Sequence, residues 1–139
     1  MPLFLPQSVI QTQFTEISSD TTTTSTTFTD LMSLNISTTG ASYLLVDFSA
    51  SHSVTSANSG ATYQLQVDGT PIRGCASGAG TGAQNSPGFC AGFVYKSGIL
   101  SSGSHTVLIR WRVNAGTGQI RPATQDDEHA SLLVAEITV

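Results

Sequence analysis

Apolar and polar residues alternate with a period of two along most of this chain, the signature of extended strands packed on one side. Between residues 43 and 51, Leu44, Val46, Phe48 and Ala50 fall on one face, and Tyr43, Leu45, Asp47 and Ser49 on the other. The pattern is clearest over 105–113, where Val107, Ile109, Trp111 and Val113 are predicted to face a core. Thr106, Leu108, Arg110 and Arg112 then face out, and Ser102-Gly103-Ser104 supplies the preceding turn. Further strands are predicted over 7–17, from Phe28 through Leu31, Leu34 and Ile36 with an irregularity near Asp30, and at Phe93, Val94 and Tyr95. Tyr63, Leu65 and Val67 form another, closed by the Asp68-Gly69 turn signal. The Thr-dense stretch 20–27 reads as an exposed edge or loop. In the last segment, 130–139, Leu132, Val134 and Glu136 lie opposite Leu133, Ala135 and Ile137. Both faces are apolar through its middle, which predicts a central strand or one buried at a subunit contact. No stretch of helical length keeps an i, i+3, i+4, i+7 apolar stripe, and no repeat or linker divides the chain.

Seven or eight short strands at this spacing predict one all-β domain, an antiparallel β-sandwich of the jelly-roll type, over residues 8–139. Such a sandwich has edges to cover, and lysine, the usual edge guard, occurs only at Lys96. Symmetric self-association would cover them, so the expectation is a homo-oligomer.

Composition sharpens this picture. Charged residues make up 10% of the 139 positions, against roughly 25% in an average soluble domain. Serine and threonine fill the difference with 38 positions. A hydrophobic fraction of 39% is too high for a disordered linker, which lacks the apolar surface to offset ordering entropy. The net charge of −4 leaves no electrostatic footprint for nucleic acid. No apolar run approaches the roughly 20 residues that cross a membrane as a helix.

The first seven residues read as an extended arm. Pro2 and Pro6 bracket Leu3, Phe4 and Leu5, a pattern that cannot join a central strand. It reads either as a disordered or locally packed terminus or as an arm whose apolar side chains dock on a neighbouring subunit or another protein. The stretch has no basic n-region and no small-residue cleavage site, so the expectation is synthesis in a host cytoplasm without export.

Residues 74–92 hold both cysteines, Cys75 and Cys90, among glycines at 74, 78, 80, 82, 88 and 92. A bridge between them would close a loop of roughly 15 residues and contribute about 3 kcal/mol on the chain-entropy estimate. Two reduced thiols and an intermolecular bridge are the other readings. Disulfides persist in oxidising surroundings; with no export signal, a bridge suits a protein released by lysis.

Candidate chemistry is sparse. Gly78, Gly80 and Gly82 lead into Gln84-Asn85-Ser86-Pro87-Gly88, which is turn chemistry and not the helix start a phosphate loop needs. Asp126-Asp127-Glu128-His129 is the densest ionisable cluster, but adjacent strand residues diverge, so it reads as a solvated acidic loop and not a metal site. His52, His105 and His129 are scattered, without a Gly-x-Ser-x-Gly elbow or paired acids that would mark a hydrolase. His105 is expected to hydrogen-bond at a strand start. Arg110 and Arg112 are candidates to pair with the acidic loop within or between subunits, as arginine favours bidentate carboxylate contacts. With Leu132 and Leu133 they form the candidate subunit contact. Asn35-Ile36-Ser37 is formally a glycosylation acceptor, meaningless without a secretory route.

The order of phrases resembles a known family. Thr26-Thr27-Phe28-Thr29-Asp30-Leu31 leads to the 43–50 strand, then Gln64-Leu65-Gln66-Val67-Asp68-Gly69. Leu100-Ser101-Ser102-Gly103-Ser104-His105-Thr106-Val107 with Arg110-Trp111-Arg112 follows, and His129-Ala130-Ser131-Leu132-Leu133-Val134-Ala135-Glu136-Ile137 ends the chain. This resembles the small TNF/C1q-like jelly-roll domains of tailed-bacteriophage structural proteins, over residues 8–139. The resemblance implies a homotrimer about a three-fold axis in a virion, with no catalytic residues and no cofactor. The expected function is a non-enzymatic capsid decoration (cement) protein that binds the major capsid protein, with Pro2, Leu3, Phe4, Leu5 and Pro6 as the docking arm. The alternative is a receptor- or glycan-binding module of a tail tip or fibre, using Tyr95, Tyr63 or the loop around Phe89. A secreted C1q-like protein ranks third and a hydrolase last.

Overall fold

Strands this rich in Val, Ile, Thr and aromatic residues hide their apolar faces by stacking two sheets. In the computed structural model, which describes residues 7–56, 59–76, 89–122 and 129–139, the strands are β1 (Val9–Glu16), β2 (Thr21–Thr23), β3 (Thr29–Thr38), β4 (Ser42–Val54) and β5 (Ala61–Val67). They continue with β6 (Thr70–Ala76), β7 (Phe89–Lys96), β8 (Gly103–Val113), β9 (Gly118–Ile120) and β10 (Ala130–Thr138). All pairings are antiparallel. One sheet has β10 and β7 on β4, with β1 outside β10; beyond Ser51, β4 pairs with β9, and β9 with β2. The other sheet runs β3-β8-β5-β6. The chain crosses between sheets at β3, β4, β5, β7, β8 and again on the way to β10, which is the jelly-roll strand order.

The inner faces are those the alternation predicts. Leu44, Val46, Phe48 and Ala50 from β4 meet Tyr63, Leu65, Val107, Ile109 and Trp111 from the facing sheet, all buried. An aromatic group fills the middle: Phe48 lies 5.2 Å from Tyr63 and 5.4 Å from Phe93 between ring centroids, and Tyr63 stacks on Trp111 at 6.4 Å. Gly118 is required beside it, since a Cβ there would meet Val113 Cγ1 at 2.7 Å and the Trp111 ring at 3.2 Å. The irregularity near Asp30 is a bulge that shifts register between Asp30 and Met32. Asp68 and Gly69 both take positive φ, 50° and 78°, as a two-residue hairpin turn demands.

That turn does more than end a strand. It sends the chain back as β6, which alternation did not reveal because Pro71 and Gly74 interrupt it. Proline is tolerated there because β6 is the edge of its sheet. The three-residue β9 is too short to show a period.

The inner face also holds a carboxylate. Glu136 is fully buried on β10 and accepts four hydrogen bonds: from Gln11 Nε2 (2.7 Å), Thr39 N (3.0 Å), Ser42 Oγ (2.9 Å) and Thr39 Oγ1 (3.4 Å). The Gln11 amide also donates to Ser37 O on β3 at 2.6 Å, so the network ties β1 and β10 to the opposite sheet at its β3–β4 corner. The Gln11 bond, opposed by burial and aided by the Thr39 and Ser42 donors, holds the Glu136 pKa below its ordinary value. Glu136→Gln replaces an acceptor with an NH2 that faces donors. It is expected to cost about 1–3 kcal/mol in urea denaturation at pH 7; no loss would show that the network does not hold the corner.

Candidate interaction surface

Period-two geometry gives every strand a second face, and here the two outer faces differ in chemistry. On the sheet containing β4, backbone register aligns Phe14, Leu133, Asp47 and Val94 in one row across β1, β10, β4 and β7. The next row is Thr12, Ala135, Leu45 and Lys96, and beyond it Ile137 lies beside Tyr43. Phe14 is 57% exposed, Val94 56% and Leu133 36%, large apolar side chains left in water on one continuous face. Val9, opposite Ile137, extends it at one end, and Ile10, at the β1 register shift, is also exposed. The opposite outer face carries Asn35 and Asp30 on β3, Thr106, Leu108, Arg110 and Arg112 on β8, and Thr62, Gln64 and Gln66 on β5. The first face is apolar over most of these rows and bordered by the polar row Glu16, Ser131 and Ser49; the other is mainly polar.

The residues proposed for a subunit contact divide between these places. Leu133 lies in the middle of the apolar face. Leu132 does not: it is 0% exposed and packs inside the sandwich, so the expectation that it meets a neighbouring subunit is corrected. The reason is the pleat, which turns adjacent residues of β10 to opposite sides. Arg110 and Arg112 are on the far, polar face. Arg110 Nε donates to Asp30 Oδ1 at 3.2 Å and its Nη2 to Phe28 O at 2.7 Å, while Arg112 stacks 4.9 Å from the Phe28 ring centroid. Arg110 therefore has an acidic partner on the neighbouring strand, and residues 126–128 of the acidic loop lie outside the described ones.

The aromatic residues proposed for a sugar site point the wrong way. Tyr63 is 0% exposed in the core, and Tyr95, opposite Val46 in register, packs against the same core. Both sit at inward positions of their strands. The Phe89 side chain lies outside the described residues, as do residues 1–6 with the proposed arm, and Gly78, Gly80 and Gly82. Cys75 is a free thiol on β6, half-buried, with its pKa pushed up by burial. The proposed bridge is therefore not supported; the Cys90 side chain is outside the described residues.

Two histidines are committed to structure. His52 is fully buried, with Nδ1 2.8 Å from the Tyr63 hydroxyl; burial lowers its pKa to about 4 and holds that of Tyr63 above its ordinary value. His105 bonds as expected at its strand start: Nδ1 donates to Asp68 Oδ2 at 2.8 Å and Nε2 to Ser101 O at 2.9 Å. Those two acceptors raise its pKa. Burial raises that of Asp68, but the His105 and Thr106 hydrogen bonds outweigh it and bring the net shift below the ordinary value. Among the described residues no three ligating side chains gather where a metal ion could bind.

Phe14, Val94, Asp47 and Lys96 complete the surface and were not singled out from sequence. The available signal was an apolar residue at the outward position of several strands at once. Reading it requires knowing which strands are neighbours.

No protein-family model matches the chain, and no curated protein sequence does. Among solved structures it is similar to the infectious bursal disease virus VP2 subviral particle, with a TM-score of 0.48 at 9% identity over 94% of this chain and 40% of that one. The same virus's Gx strain gives 0.43 at 12% identity, covering 93% and 39%. A Paenibacillus sp. cycloisomaltooligosaccharide glucanotransferase gives 0.31 at 16% identity, covering 94% and 17%. The chain spans at most 40% of each of these proteins, and its jelly-roll assignment stands on its own strand order.

Proposed function

We propose that this chain is a non-enzymatic structural protein of a virion, a homotrimeric decoration (cement) protein on a tailed-phage head. The observation that carries this reading is the contrast between the two outer faces. A soluble monomer rarely exposes so continuous an apolar face, and burial of such a face is the main driving force of association. Self-association covers Phe14, Leu133 and Val94 and leaves the polar face for a larger partner. That partner is the major capsid protein, with the stretch from Pro2 to Pro6 as the clamp. Each copy would add its own binding energy to the shell, with no chemistry performed.

Gel filtration with light scattering tests the assembly. The expected mass is three times the 14.5 kDa of one chain. Leu133→Asp, which sets a second carboxylate beside Asp47, is expected to give single chains with an unchanged far-UV spectrum. A single-chain mass for the natural sequence overturns self-association, and a two-chain mass overturns the three-fold assembly.

A further inference from the structure

Asp47 sits in the middle of the apolar face, between Leu133 and Val94 in register. Covering that face would strip water from its carboxylate, and a buried charge needs a counter-charge. Lys96, the only lysine of the chain, lies on the same face one register step away on β7, opposite Leu45. The two are not joined within the chain. Lys96 Nζ stands 4.0 Å over the Tyr43 ring, and the ion pairs among the described residues are His105–Asp68 and Arg110–Asp30. Of the other cations, Arg110 and Arg112 occupy the opposite face, and Arg73 reaches the edge of β7 from the facing sheet, where its guanidinium is engaged by Val94 O.

Resting on the self-association reading above, we infer that Lys96 of one copy pairs with Asp47 of the next, and that the occupant of the apolar face is a second copy of this chain. The face carries both signs in one patch and is therefore complementary to itself. A two-fold contact would form the pair twice and a three-fold ring three times, matching Asp47 and Lys96 in every copy, while Glu16 lies in the bordering row of the face. The same pair sets register, because sliding one apolar face over another strands both charges.

Charge reversal tests this. Asp47→Lys and Lys96→Glu are each expected to raise the dissociation constant at least about tenfold at low salt. The double variant is expected to return within about threefold of the natural value. The deciding arm is an equimolar mixture of the two single variants. Where a copy of one variant meets a copy of the other, each introduced charge faces its opposite and the untouched Lys96 faces the untouched Asp47. The mixture should therefore associate more tightly than either variant alone. If the double variant recovers and the mixture does not, the pair acts within one chain and the inference is overturned. It is also overturned if the double variant is weaker than either single one. A natural sequence that runs as a monomer defeats the self-association reading instead.

Discussion

Trp111→Ala is expected to lower the free energy of unfolding by about 3–5 kcal/mol. Trp111 is 1% exposed and among the largest buried side chains, stacked on Tyr63 and in contact range of Gly118. It stands where β8, central in its sheet, crosses the facing aromatic residues, so neighbours on both sides would have to shift to close the void. Interiors packed at crystal-like density relax only partly, and a domain with about 5–15 kcal/mol in total loses a large part of its stability. Because Trp111 is the only tryptophan, the transition is followed by far-UV dichroism. Leu108→Ala, half-buried on the outer face of the same strand, should cost clearly less. Equal losses at the two positions would contradict the assignment of the inner face.

The second large effect is acid destabilisation through His52. Its pKa falls from 6.5 to about 4 on folding because burial penalises the charged ring. Between those values the unfolded chain binds a proton that the folded chain does not, so stability falls as pH falls through this window. The full loss is about 3 kcal/mol, taking about 1.36 kcal/mol per pH unit, with about 2 kcal/mol gone by pH 5, above the range of the carboxylates. His105 does not disturb this window, because its raised pKa gives a contribution that is complete below 6.5 and lost only on the alkaline side. Glu136 and Asp68, both lowered, contribute losses only below the ordinary carboxylate values of 4.5 and 3.8. Urea midpoints at pH 7, 6 and 5 measure the slope. His52→Asn keeps a short polar group within reach of the Tyr63 hydroxyl without a titrating ring, and its midpoint should be flat between pH 7 and 5. An unchanged slope in that variant would place the acid sensitivity elsewhere.

Most of the sandwich was legible because burial writes itself into the sequence with period two. The inner faces of β4, β5 and β8, the bulge near Asp30 and the turn at Asp68-Gly69 all follow from local rules of pleat and φ. β6 was missed because an edge strand need not alternate and can hold Pro71. Glu136 read as one more residue of its strand face, since nothing local says that donors from residues 11, 39 and 42 converge on it. The same holds for Tyr63 and Tyr95. An aromatic residue at a strand position is a sugar platform or a core residue according to which side the sheet partner covers.

The interaction surface marks the boundary most sharply. Alternation and composition already imply that β10 is apolar on both sides through its middle, that lysine is nearly absent and that the chain builds an all-β sandwich. Strand packing is what turns Leu132 inward and Leu133 outward, and what sets Phe14, Asp47 and Val94, far apart along the chain, in one row with Leu133. Strand alternation is encoded residue by residue, but the neighbours of a strand are set by long-range pairing. A face exists only once β1, β10, β4 and β7 lie side by side.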